Sequence, residues 1–185
     1  MYLQMQTGNI VLLSQHIFAG NWADVMRYLM PVLSFMFGVA AATEIRQHFQ
    51  NIGRIHWRQI VILIEMSMLF LVGFLPGKMD LVANAFVSFS CAMQVQTFRK
   101  VDSYAFASTM CIGNIRSGME ALCAYRQSHN RQILYKAFHY FGIIILFAFG
   151  AGIGSILIPV FNLQTIWFSS FLLMVGFFLM FIQEK

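Results

Sequence analysis

Apolar residues gather into five long stretches, Tyr28–Ala42, Ile60–Leu75, Leu81–Phe98, Ala137–Ile158 and Ile166–Ile182, with polar segments between them. Each, with its flanks, supplies the ~20 residues that a helix needs to cross a hydrocarbon core of ~30 Å. The first is the shortest and needs Met26 to Ile45 for full thickness. Pro31 is expected in its first turn, where a missing N–H costs little. Pro76-Gly77 ends the second stretch, and Pro159 follows the fourth as a helix stop should. The pattern predicts an all-α integral membrane protein, a bundle with five spans.

Composition agrees. Of 185 residues, 59% are hydrophobic and 10% are charged, where a soluble domain carries about 25% charged residues to wet its surface. The length suits a single transmembrane domain over residues 1–185. The first six residues, Met-Tyr-Leu-Gln-Met-Gln, have neither the basic n-region nor the apolar h-region of a signal peptide. Cys91, Cys111 and Cys123 show no CxxC spacing, which indicates neither a disulfide framework nor a zinc site.

A net charge of +5 would raise the question of nucleic acid in a soluble protein, but the basic residues here lie between apolar runs and no nucleic-acid motif is present. They record orientation instead. Arg46, Arg54, Arg58, Arg99, Lys100, Arg116, Arg126, Arg131, Lys136 and Lys185 fall on one side, and only Arg27 and Lys78 on the other. Ten against two places both basic loops and the C-terminus in the cytoplasm by the positive-inside rule. The expected location is the cell membrane, with the bilayer as a partner. Trp22, Trp57 and Trp167 fall at span borders, where an aromatic belt belongs.

The chain also repeats itself. Met5-Gln-Thr-Gly-Asn-Ile10 is echoed by Met110-Cys-Ile-Gly-Asn-Ile115, Phe35-Met-Phe-Gly38 by Phe147-Ala-Phe-Gly150, and Leu71-Val-Gly-Phe74 by Met174-Val-Gly-Phe177. The landmarks keep their order, and the charge-based topology puts the two Gly-Asn segments on opposite sides of the membrane. An inverted three-plus-three repeat requires both. Residues 1–77 make the first unit and 81–182 the second, and the first unit has no counterpart of Leu81–Phe98.

Gln6-Thr-Gly-Asn-Ile-Val-Leu-Leu13, the stretch from Asn84 to Lys100 and Thr109-Met-Cys-Ile-Gly-Asn-Ile-Arg-Ser-Gly118 resemble the YoaK family of bacterial multi-pass membrane proteins, a domain-of-unknown-function group. The resemblance covers essentially the whole chain and implies six spans. By that measure the first helix is missing, as from a truncated chain or a mis-set start. Ile112 stands where the first repeat has Thr7, which weakens any shared role for a threonine hydroxyl.

Three constellations could carry chemistry. Gly8-Asn9 and Gly113-Asn114 read as turns, with asparagine capping the following helix. They serve either as plain caps of interfacial helices or as helix N-termini open to an anion. After Asn114, Ile115, Met119 and Leu122 share one helix face, and Arg116 and Glu120 another. Glu65, inside an apolar run, reads as a protonated structural group or as a proton- or cation-coupling site. Asn84, Ser88 and Cys91 follow an i, i+4, i+7 stripe with Gln94 beside it, facing protein or water as interhelical hydrogen bonds or as a solute cavity. Gly150 and Gly154 form a GxxxG that predicts close helix packing.

The search for catalysis is negative. His16, His48, His56, His129 and His139 show no HExxH and no metal spacing, and no GxSxG, P-loop or GxGxxG occurs. Neither an enzyme nor a cofactor is expected. The sequence leaves two function classes. One is a permease-like carrier of a small polar solute, with Glu65 and the Asn84 stripe lining one cavity. The other is a non-transporting membrane protein that binds a partner or lipid through Arg99 to Lys136.

Overall fold

The computed structural model describes residues 6–50, 56–101, 104–105 and 111–183; Met5, Arg54, Thr109, Met110 and Lys185 lie outside the described residues. Among the described residues there are seven α-helices: α1 (Gln6–Phe18), α2 (Trp22–Phe49), α3 (Trp57–Val72), α4 (Asp80–Thr97), α5 (Cys111–Ser128), α6 (Arg131–Phe161) and α7 (Ile166–Gln183). A two-residue antiparallel pair, β1 (Lys100–Val101) with β2 (Tyr104–Ala105), is the one feature that an all-α reading omits. The chain divides into two compact units, one of Met1–Thr97 with Phe161–Lys185 and one of Phe98–Val160.

Helices cover all five apolar stretches, but α3 stops at Val72, three residues short of Leu75, and two of the helices outrun their stretches. Trp22 opens α2, where Asn21 Nδ2 donates to Asp24 Oδ2 at 2.7 Å and sets an acid in the first turn. Pro31 therefore lies in the third turn rather than the first, and is buried. Beyond the apolar run, Thr43 to Gln47 continue the helix to Phe49. Likewise α6 starts at Arg131, because Asn130 Oδ1 caps it by accepting from Gln132 N at 2.9 Å. Pro159 sits inside its last turns rather than after them. Two stretches, Trp22–Phe49 and Arg131–Met180, are long and apolar enough to cross a membrane.

In the first unit α1 packs on α2, α2 on α4, α4 on α3, and α3 on α7. α2 and α4 approach closely at Gly38, where a Cβ would fall 2.5 Å from Phe89 O and 2.8 Å from the Ala92 Cβ. Gly73 does the same for α3 and α7, since a Cβ there would overlap the Trp167 indole. Both glycines belong to the repeat landmarks. Their counterparts Gly150 and Gly176, and Gly154 of the GxxxG, meet nothing of their own units within 4 Å. The predicted close packing at Gly150 and Gly154 is therefore not made there.

The apolar core joins Ala42 of α2, Trp57 and Val61 of α3 and Met93 of α4. Trp22 is exposed at the head of α2, whereas Trp57 is buried with the guanidinium groups of Arg46 and Arg58 against its ring, 5.7 and 5.6 Å from its centroid. Large apolar side chains elsewhere point outward: Phe18, Phe37, Phe149, Ile156, Phe171 and Leu179 are all exposed. Among the described residues of α7, Ser170 is buried.

Candidate functional site

Beside the apolar core, several polar side chains are buried. Asn9, Gln59, Glu65, Ser88, Ser90 and Thr97 are all buried in the first unit. Ser88 ties three helices together. Its hydroxyl donates to the Pro31 carbonyl of α2 at 2.7 Å and accepts from Gln6 Nε2 of α1 at 2.6 Å. Asn9 Nδ2 in turn donates to Gln6 Oε1 at 3.3 Å.

This arrangement corrects the reading of the Gly-Asn segments. Gly8 and Asn9 are the third and fourth residues of α1, and Gly113 and Asn114 occupy the same positions in α5. They lie inside the helices, not in turns before them. The turn glycine is Gly20, at φ +71°, the one described glycine with positive φ. There Asn21 N donates back to His16 O at 3.0 Å and closes α1. Asn9 and Asn114 share something else: they are 2% and 3% exposed. Their side chains face protein rather than capping a helix.

The polar stripe of α4 splits. Ser88 is buried and Cys91 and Gln94 are half-buried, but Asn84 is exposed. It stands in the second turn of α4, close to the helix end. Glu65 is 1% exposed in the middle of α3. Neither the cleft between α3 and α7 nor the cavity between α5 and α6 is lined by Glu65 or by a member of the α4 stripe.

Several interior atoms lack partners among the described residues: Asn9 Oδ1, Glu65 Oε1, Ser90 Oγ and Thr97 Oγ1. An unsatisfied buried group costs about 1–3 kcal/mol. By contrast, the α3–α7 contact is satisfied, with Ser170 Oγ donating to Met66 O at 3.1 Å and Trp167 Nε1 to Phe70 O at 3.2 Å. Its apolar cleft of about 380 Å³ is lined by Phe70, Trp167 and Phe171.

In the second unit α5 meets α6 through small residues. Asn114, Gly118 and Ala121 are its buried face, and a Cβ at Gly118 would stand 3.2–3.3 Å from Phe141 and Tyr140. A second cavity of about 290 Å³ lies between these helices, with Ser117, Glu120, Lys136 and Tyr140 in its wall. On the outer surface Arg116 Nε donates to Glu120 Oε1 at 2.8 Å, which raises the guanidinium pKa further. No group of three or more His, Cys, Asp or Glu that could hold a metal is found among the described residues.

A family model described as "Protein of unknown function (DUF1275)" matches residues 1–179. The chain belongs to this family. No curated protein and no solved structure matches it. The family model thus spans both Gly-Asn helices and the buried residues of all five apolar helices of the chain.

Sequence reasoning passed over Gln6, Gln59, Ser90 and Thr97. Gln6 carried a usable signal, since it precedes Asn9 by one helical turn and so shares its face. Ser90 and Thr97 carried none, because small hydroxyls are common in apolar helices and usually bond their own backbone, as Ser67 does to Leu63 O at 2.8 Å.

Proposed function

We propose that this chain is a multi-pass protein of the cell membrane, YoaK-like in architecture, that carries a small polar solute. The distribution of polarity carries the reading: many large apolar side chains lie exposed, while Asn9, Gln59 and Glu65 are buried among apolar residues. Lipid covers Phe149 and Leu179 at no cost, whereas buried Asn9 and Glu65 need partners. Five spans follow from α2, α3, α4, α6 and α7, with the basic loops and the C-terminus in the cytoplasm.

The inverted repeat is part of the proposal. A short helix with a buried asparagine at its fourth position, a long proline-containing helix and a shorter helix occur in that order twice, as α1–α2–α3 and as α5–α6–α7. Repeats of this kind hold solutes at their midplane. The partnerless oxygens of Asn9 and Glu65 are the groups offered to a solute or a coupling proton. A carrier closes over such groups at one stage of its cycle, which suits their burial here. Metabolite profiling of a deletion strain tests the idea: a polar solute should shift in level and return with the restored gene. Identical profiles would remove transport.

One observation favours a second reading. Ser88 is closed off on both sides by Pro31 and Gln6, as in a protein whose polar groups serve packing alone. That protein would be a non-transporting membrane component.

A further inference from the structure

We propose that the elbow of α5 and α6 binds the headgroup of an anionic phospholipid, with α5 lying in the headgroup layer beside the membrane that α6 crosses. The inference rests on the membrane reading above but not on transport.

The orientation of α5 is the first ground. Its buried face is Asn114, Gly118 and Ala121. Ile112, Ile115 and Met119, at spacings of three and four, form the opposite stripe and are exposed, Ile112 by 73%. The helix therefore turns its smallest side chains to its neighbour and its largest apolar ones away. An interfacial helix is built this way, burying its stripe at the boundary of acyl chains and headgroups.

Charge names the occupant. Residues 111–140 hold Arg116, Arg126, Arg131 and Lys136 against a single acid, Glu120, a formal +3. The lone carboxylate is already engaged by Arg116. Within the elbow, Lys136, Ser117 and Tyr140 line the cavity between the helices. An ammonium beside hydroxyl donors matches a phosphate, and Glu120 in the same wall accepts from a headgroup hydroxyl such as that of phosphatidylglycerol.

Length sets the depth. With 31 residues, α6 is roughly 46 Å long, about 16 Å more than the hydrocarbon core. The excess corresponds to its polar first turns, Arg131 to Tyr140, where Tyr135 is exposed. Those turns carry Lys136 to the level of the phosphates.

The test is native mass spectrometry of the full chain in detergent, titrated with phosphatidylglycerol and phosphatidylcholine. Wild-type protein should retain phosphatidylglycerol preferentially, each cation removed weakening it roughly five-fold. Lys136→Gln combined with Arg116→Gln should abolish the preference, and Lys136→Arg should keep it, which separates loss of charge from misfolding. Equal retention of both lipids by the wild type, or an unchanged preference in the double variant, would overturn the inference. So would displacement of the lipid by inorganic phosphate, since the site would then serve the free ion. Alkaline carbonate extraction tells the two failures apart: protein staying with the membranes keeps the membrane reading even if the lipid site fails.

Discussion

Gln6 and Ser88, 82 positions apart in the chain, meet at 2.6 Å. The bond joins the first turn of α1 to the middle of α4, and Ser88 passes it on to the Pro31 carbonyl of α2. Three helices thus share one hydroxyl. Under the membrane reading proposed above, water cannot substitute for a lost partner, and such a group fixes how the helices sit together.

Ser88→Ala should lower stability by ~0.6–1.7 kcal/mol, the range measured for hydrogen bonds between membrane helices. Asn84→Ala, one turn earlier and exposed, should change little. Thermal melts of the purified variants in detergent compare the two. Equal loss at both positions would show that the Ser88 network holds nothing.

Gly38→Val should disrupt the fold, because the backbone of α4 stands where the side chain would go. Overpacking of this kind costs about 1–3 kcal/mol or more. Gly150→Ala, at the matching repeat position with nothing of its unit near it, should elute from size-exclusion chromatography as the wild type does. The reverse ranking would mean that α2 and α4 do not approach as described.

The sequence made the helices legible because long apolar runs leave little choice: α4 ends one residue from its predicted boundary. The Gly-Asn pairs were legible as landmarks near helix starts, but they fall within the first turn of each helix rather than in turns before it. What periodicity cannot say is which face meets a neighbour. Ile115 and Met119 were correctly grouped on one face of α5, yet that face is exposed and the small-residue face is buried. Depth was equally hidden, since nothing in a helical stripe distinguishes exposed Asn84 from buried Ser88. The Gln6–Ser88 bond lay beyond any local pattern.

Glu65 separates the two function classes. Glu65→Gln keeps the shape and most of the hydrogen-bonding capacity but removes the ionisable group. If Glu65 couples transport, this variant should insert and elute normally yet fail to restore the metabolite profile of a deletion strain. Glu65→Leu should relieve an insertion cost of ~2.5–3.5 kcal/mol and express at least as well, also without function. Full restoration by the Gln variant would remove Glu65 from the mechanism and leave Asn9 and Ser88 as intramembrane candidates.

Cysteine accessibility in whole cells tests the membrane reading most directly. In a background where Cys91, Cys111 and Cys123 are replaced by Ala, Lys78→Cys and Ser128→Cys place single thiols in the α3–α4 connection and at the end of α5. An impermeant maleimide should label position 78 in intact cells, and position 128 only after permeabilisation. Labelling at position 128 with position 78 protected would invert the topology, and labelling of neither until lysis would contradict a chain threaded through the membrane.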